Sequence, residues 1–561
     1  MTTRRAFLEI AAAMATIVPG GWSRAFAQQQ LRQSDLLRFE PLGNVTLVHI
    51  ADLHAQLVPI YFREAAVNIG VGEARGQVPH VSGGALLDHY GIPHGSPAAY
   101  ALSSDDFAAL ARTYGRMGGL DRIATVLADI RAERGDEKVA FLDGGDTWQN
   151  SYTSLVTKGQ DMVDAMAMLR PDAMVGHWEF TLGAARVKAL AQSLGFPFLG
   201  LNVRDTEWDE PVFPAMTMLE RGGVRIAVLG QAYPYTPIAN PRWLIPAWSF
   251  GIREGDVRTQ VEKARAAGAE LVVLLSHNGF DVDRKLAARV GGIDVVLTAH
   301  THDALPAVVK VGRTLLVASG SHGKFVSRLD LDVRGGEVKD YRYKLIPVFA
   351  DAIAPDPAVA AKIAAIRAPH LAHLGEVVGR AGPLLYRRGN FNGTLDDVIC
   401  DALLSRRDAE IALSPGLRWG ASLLPGEAIT REDIYNATAI TYPAAYRTTM
   451  TGARLKEVIE DIADNLFNPD PYYQQGGDMV RVGGIAYTID VAQTMGRRIS
   501  DLRLLRTGQA IDPGRDYVVA GWASVSEDTQ GPPIWDVVES YIAARGEVTP
   551  AASGHVRVVG N

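Results

Sequence analysis

The sequence predicts an α/β protein: a large layered domain, its sheets flanked by helices, followed by a smaller α/β domain. Three observations predict it. From residue 44 to about residue 333, short apolar runs rich in β-branched residues alternate with helical patterns. Several of those runs are continuously apolar, the pattern of strands buried on both faces. Asp356-Pro357, a capping residue followed by a first-turn proline, then marks a helix start and separates this stretch from a second mixture of helices and strands.

The N-terminus is read separately. Thr3-Arg4-Arg5-Ala6-Phe7-Leu8 is a twin-arginine pattern, an apolar stretch follows over 10–18, and Ala25-Phe26-Ala27 offers a cleavage point between small residues. These are the three parts of an export signal, and the apolar stretch is too short to cross a bilayer comfortably. Residues 1–27 are expected to be a Tat-type signal peptide, which sends folded proteins to the periplasm. They carry three arginines and one glutamate, so the chain beyond them has a net charge of −9, against −7 for all 561 residues. That balance argues against a nucleic-acid partner. The composition, 47% hydrophobic and 21% charged, is that of a folded soluble protein. No further run is long and apolar enough to span a membrane. Cys400 is the single cysteine; it stands at helical spacing in an apolar stretch and is read as a small buried hydrophobe.

In chain order, strands are expected at 45–50, 139–142, 226–229, 271–275, 295–297 and 315–317, with helices at 120–133, 184–193 and 256–267. These make up a domain over 36–352. Residues 58–115, rich in Gly, Pro, His and Tyr and without a clear period, are expected to be a long insertion over the sheet. An Ala-rich helix over 358–374 connects the domains, within a linker at 353–374. The second domain, 375–558, is expected to hold helices at 396–404 and 452–465 and strands at 485–491 and 517–520.

The chemistry sits at strand ends. Strand 45–50 runs into Asp52-Leu53-His54, strand 139–142 into Asp143-Gly144-Gly145-Asp146, strand 271–275 into Ser276-His277, and strand 295–297 into His300-Thr301-His302. Gly176-His177-Trp178-Glu179 follows the short run 173–175. In layered α/β folds such ends converge on one rim where ligands bind. Packing alone does not gather five imidazoles and two carboxylates there. Carboxylate and imidazole without thiolate suit Mn²⁺, Fe²⁺ or Zn²⁺. Two ions close together need a shared ligand, and Asp146, alone in its Gly-Gly-Asp turn, is the candidate bridge.

This order of motifs resembles the metallophosphoesterases of the 5′-nucleotidase type, over roughly residues 40–555. The resemblance implies a layered metallophosphoesterase domain followed by a C-terminal substrate domain. It implies one metal held by Asp52, His54, Asp146 and His302, and another held by Asp146, His177, His277 and His300. A metal-bound hydroxide would attack the substrate's central atom in line. The family writes Gly-Asn-His-Glu where this chain has Gly176-His177-Trp178-Glu179. His177 thus takes the ligand position, and Trp178, which has no titratable proton, takes that of the proton donor. The nucleoside clamp Pro-Phe-Gly-Asn is replaced by Tyr442-Pro443-Ala444-Ala445-Tyr446.

Together with Gly145-Asp146-Thr147-Trp148-Gln149, Gly521-Trp522-Ala523 and Pro532-Pro533-Ile534-Trp535, these departures resemble the periplasmic thiosulfohydrolases of sulfur oxidation. That branch implies two Mn²⁺ ions, with Zn or Fe also compatible with the ligands. It implies release of sulfate from a cysteine S-thiosulfonate on the cysteine-bearing tail of the carrier protein SoxYZ. Asn150 stands where glycine is expected after Trp148-Gln149. Ser414-Pro415-Gly416-Leu417-Arg418 resembles the family's Asn-x-Gly-x-Arg segment and makes Arg418 a candidate for the anionic sulfonate. Tyr442, Tyr446, Trp522 and Trp535, with the insertion, are candidates to wall a channel for an extended chain. Two other readings stand beside this one: a periplasmic 5′-nucleotidase or phosphodiesterase of altered specificity, and a metal- or solute-binding protein without catalysis. The broken clamp and Trp178 weigh against the first, and the full ligand set against the second.

Overall fold

A computed structural model of the chain describes residues 31–550 and 555–560; the twin-arginine segment lies outside them. The expected strands form two sheets. One has the order Glu337–Pro347, Phe325–Arg334, Val45–Ile50, Val139–Asp143, Ala173–Met174. The other has the order Val309–Val311, Thr314–Ala318, Val295–Thr298, Leu271–Ser276, Val224–Gln231, Met216–Arg221. Val45–Ile50 runs parallel to Val139–Asp143, and Leu271–Ser276 runs parallel to both its neighbours.

Why the strands read as unbroken apolar runs is now visible. Val45 and Leu47, with Val273 and Leu275, fill one apolar cluster between the two sheets. The alternate residues Val48 and Ile50 face a second cluster under the helices Leu120–Arg134 and Gln160–Leu169. Val272 and Leu274 face a third, under Glu254–Ala266 and Phe280–Arg289. The result is four layers, helix–sheet–sheet–helix, in which the central strands Val45–Ile50, Val139–Asp143, Leu271–Ser276 and Val295–Thr298 are buried on both faces, while edge strands such as Met216–Arg221 meet water. Each fully buried Val or Leu contributes about 1.5–3 kcal/mol. The parallel strands therefore end in register on a rigid rim.

Two expectations need correction. Residues 58–115 are not irregular throughout: Gly83–Tyr90, Pro97–Leu102 and Phe107–Tyr114 are helices. None exceeds eight residues, barely two turns, and glycine, serine or proline stands at their ends, so the helical period has too few repeats to be read. Their Leu87, Tyr100 and Phe107 join the helix-covered core of the first sheet. The Ala-rich helix is also interrupted. It runs over Pro357–Arg367, capped by the Asp356 side chain, and then breaks into a 3₁₀ turn and a short helix, Leu371–Leu374. Pro369 explains the break, because it offers no N–H and its ring clashes with the preceding turn.

The second region holds a four-stranded sheet ordered Tyr446–Thr451, Asp516–Gly521, Ile411–Ser414, Arg481–Gly483. The helices Thr394–Arg406 and Ile534–Arg545 cover one apolar cluster there, and Gly452–Phe467 covers another. Cys400 lies in the first of these. Among the described residues, no helix is long and apolar enough to cross a membrane.

The insertion is pinned by one buried cation. The Lys324 ammonium donates to the Glu64 carboxylate and to the carbonyls of Phe62 and Ala101, at 3.1 and 3.0 Å for the carbonyls. Breaking a buried pair by removing one partner costs about 3–5 kcal/mol. Lys324→Met is therefore expected to lower the urea unfolding free energy by about that much. A change below about 1 kcal/mol would show that the insertion is held by its apolar packing alone.

Candidate metal centre

All five strand-end motifs converge. Asp52, His54, Asp146 and His302 form one buried group; Asp146, His177, His277 and His300 form another; within each, the ligand atoms lie within 4.8 Å of one another. Asp146 belongs to both. Its Oδ1 accepts the Trp178 N–H at 2.8 Å, while Oδ2 lies 3.1 Å from His277 Nε2, 3.3 Å from His177 Nδ1 and 4.0 Å from His54 Nε2. The Asp52 carboxylate accepts the His300 N–H at 3.0 Å and lies 3.6 Å from His302 Nε2.

Local backbone explains the convergence. An i, i+2 pair on an extended strand points to one face. His300 and His302 have φ of 76° and 58°, and this left-handed backbone sends the two rings to different groups. Gly145, at φ 87°, makes the turn that carries Asp146; a Cβ there would lie 2.8 Å from the Val175 carbonyl oxygen. Glu179 staples the next loop to this turn. Its carboxylate accepts the N–H groups of Thr147 at 2.6 Å, Trp148 at 3.2 Å and His177 at 2.8 Å.

The residues fit a pair of divalent ions. His54 Nε2 and His302 Nε2 face each other at 2.9 Å, roughly the separation of adjacent ligands bound at right angles to one ion at about 2.1 Å. The electrostatics agree. Burial pushes the His300 and His302 imidazoles well below the usual range and His177 down to about 4, so these rings are neutral. Neutral imidazole is the form that binds metal. Burial alone would lower His277, but the adjacent Asp146 and Asp52 carboxylates outweigh it and push the ring up to about 10. Burial likewise acts to raise Asp146, yet His177 and His277 hold it well below the carboxylate range.

Outer contacts fix several rings. His277 Nδ1 donates to the Gly144 carbonyl at 2.6 Å. His54 Nδ1 lies 2.8 Å from Asn150 Oδ1, and His300 Nε2 lies 3.1 Å from the Gln475 carbonyl of the second region. Tyr233 packs its ring 4.0 Å from His177 and 4.3 Å from His300, and its hydroxyl donates to the same Gln475 carbonyl at 2.6 Å.

Sequence reasoning missed Tyr233, Gln475 and Trp419. Tyr233 follows the end of strand Val224–Gln231, so the strand-end rule would have found it. Trp419, next to Arg418, stands 5.4 Å from the His54 ring and edge-on to Trp178 at 4.8 Å. Tyr442 stacks parallel to Trp178 at 6.3 Å. Arg418 is partly buried beside the centre and donates to the carbonyls of His300, at 2.9 Å, and Gly477. Trp522 instead packs in the second region's core and donates its N–H to Ser414 Oγ at 2.8 Å. Tyr446 lines up against Gly521 in the same sheet, and Trp535 packs on Tyr435. A cavity of about 50 Å³ beside His300, between Asn68, Asp303, Arg418 and Gly476, has room for water.

The family model for the 5′-nucleotidase C-terminal domain matches residues 377–536. The chain is 23% identical over 524 residues to the 5′-nucleotidase of Rattus norvegicus, covering 81% of this chain and 88% of that one. Among solved structures it is similar to the sulfate thiohydrolase SoxB of Thermus thermophilus, with a TM-score of 0.90 and 37% identity, over 93% of this chain and 98% of that one. It shares its fold with a 5′-nucleotidase precursor from Thermus thermophilus, with a TM-score of 0.73 and 22% identity, over 92% of this chain and all of that one.

Asp146→Asn is expected to leave the circular dichroism spectrum native and to strip metal from both positions, because one change weakens two sites. His54→Ala should lower the content of one ion chiefly. Metal analysis after gel filtration reads both. Near-normal content in Asp146→Asn would refute its place as the shared ligand.

Proposed function

We propose that this chain, which belongs to the 5′-nucleotidase family of metal-dependent hydrolases and within it to the group of SoxB, releases sulfate from a cysteine S-thiosulfonate on the carrier protein SoxYZ. The observation that carries this reading is Trp178. It occupies the position where the family places a proton donor. Its indole is buried beside His177 and against Trp419, and its backbone N–H is bound to Asp146.

The leaving group decides what such a site can do. A nucleotidase expels an alkoxide, a strong base that gains about 10²–10⁴-fold from general acid catalysis. In R–S–S–SO₃⁻ the water oxygen bonds the outer sulfur, the S–S bond breaks and its electron pair leaves on the persulfide. The water's protons pass to solvent as sulfate forms. A persulfide is a weaker base than a thiolate, whose conjugate acid has a pKa near 8.5, so it leaves unprotonated at neutral pH. Two divalent ions, proposed to be Mn²⁺, would polarise the sulfonate and lower the pKa of water. This chain's residues supply the rest. Asp146 and Asp52 carry the negative charge that holds those ions. Trp178 and Trp419 wall the site and exclude water from the reacting bond. Arg418, partly buried and with its Nε 3.8 Å from Asp478 Oδ1, would place positive charge beside an anionic substrate. Tyr442, stacked parallel to Trp178 at 6.3 Å, stands in the segment that replaces the family's nucleoside clamp.

The 23% identity to 5′-nucleotidases keeps phosphate-ester hydrolysis as the alternative. The segment Tyr442-Pro443-Ala444-Ala445-Tyr446 and Trp178 count against it. The proposed location is the periplasm, reached by the Tat route that Arg4 and Arg5 address.

Sulfate release from thiosulfonate-loaded carrier, measured beside AMP hydrolysis, tests the reading: the first is expected and the second should be at least 100-fold slower. In Trp178→His, carrier turnover should fall or stay level while phosphodiesterase activity rises. A marked gain in sulfate release would show that a proton donor had been limiting, and would sink the leaving-group argument.

A further inference from the structure

Asn150 stands in a backbone conformation that belongs to glycine. Its φ is 100°, and its side chain is buried. A position of that shape, occupied by a residue strained there, asks what the side chain does. Its two polar ends are both used. Oδ1 lies 2.8 Å from His54 Nδ1, and Nδ2 donates to the Ala439 carbonyl at 3.2 Å. A carbonyl accepts only, so the amide cannot turn over without setting two oxygens against each other. Oδ1 is therefore an acceptor for His54, and Nδ1 of that ring carries the proton. The other nitrogen, Nε2, is left with its lone pair toward Asp146 and His302.

We infer that Asn150 is a positioning residue for the Asp52/His54/Asp146/His302 group: it fixes the tautomer and tilt of His54. Its own orientation is set in turn by the Ala439 carbonyl of the second region. Ala439 closes the helix Arg431–Thr438, three residues before Tyr442. This amide thereby connects the seating of the second region to the ligand field of that ion, as Gln475 does for His300 in the other group. Ligand imidazoles whose distal nitrogen loses such a partner typically bind metal 10–100-fold more weakly.

The inference rests on the two-metal reading of the centre, and the test separates them. Dissociation constants for both ions are measured with Mn²⁺ by chelator competition on the native protein, Asn150→Gly and Asn150→Asp. The metal-free melting temperature is recorded beside them. Glycine keeps the backbone and removes the acceptor; aspartate keeps an acceptor for His54. Asn150→Gly should weaken one ion 10–100-fold and the other less than threefold, with the metal-free melting temperature level or raised. Asn150→Asp keeps the acceptor but sets its second oxygen against the Ala439 carbonyl, so its loss should fall on the same ion and be smaller than that of Asn150→Gly. Native constants in Asn150→Gly, an equal loss at both ions, or an Asn150→Asp loss at the other ion would each overturn the role. A native protein that binds neither Mn²⁺ nor Zn²⁺ would instead defeat the two-metal reading itself.

Discussion

The centre depends on one constraint: the chain must turn left-handed as soon as its parallel strands end. Asp52, His54, Asp146, His300 and His302 all have φ between 49° and 76°. Such backbone costs an ordinary residue about 1–2 kcal/mol. The surrounding fold repays it with hydrogen bonds that only this path allows. The Asp52 N–H donates to the Gly145 carbonyl at 2.9 Å, the His54 N–H to the Asp146 carbonyl at 2.8 Å, and the His322 N–H to the Asp52 carbonyl at 2.8 Å. The strand ends thus hold one another in the strained state, and the four-layer core beneath keeps them from relaxing. Strain of this kind gathers where geometry serves function.

Charge suits the same arrangement to cations. Burial pushes the Asp52 carboxyl well up, and His277 takes a proton to balance Asp146. His54, His177, His300 and His302 are all lowered and stay neutral. A buried site with four neutral imidazoles and a low-pKa carboxylate at its middle is suited to divalent ions, which would displace the proton on His277.

Much of this was legible in the sequence, and the reason is physical. Strands buried on both faces read as unbroken apolar runs, and ligands placed just past their ends stand out as Asp, His and Gly against that background. The seven ligand candidates and their division into two groups follow from that pattern and the family resemblance, and the structure draws each group together. Trp419 and Gln475 were not legible, since they reach the centre from the second region and nothing local marks them. Asn150 was noticed as a departure, but its partner His54 lies 96 residues away, so no role could be read. Trp522 shows the opposite case. An aromatic residue suits a channel wall and a core equally well, and here Trp522 packs in the core of the second region.

The second region does more than cover the site. His300 Nε2 meets the Gln475 carbonyl, Arg418 donates to the His300 carbonyl, and Asn150 joins His54 to the Ala439 carbonyl. Each tie crosses from residues beyond 374 to a metal ligand or its immediate support. Gly476 is needed for this approach: a Cβ there would lie 2.5 Å from His300 Nε2. Imidazole ligands act through their distal nitrogen as well as their bound one. It follows that the first region alone carries every candidate ligand but not the full set of contacts that orient them. Separating the two regions would cost His300 its partner and would free the Asn150 amide to rotate. A centre built this way is complete only when the second region is seated, so the ligands and the aromatic wall of Trp178, Trp419 and Tyr442 are assembled by the same docking.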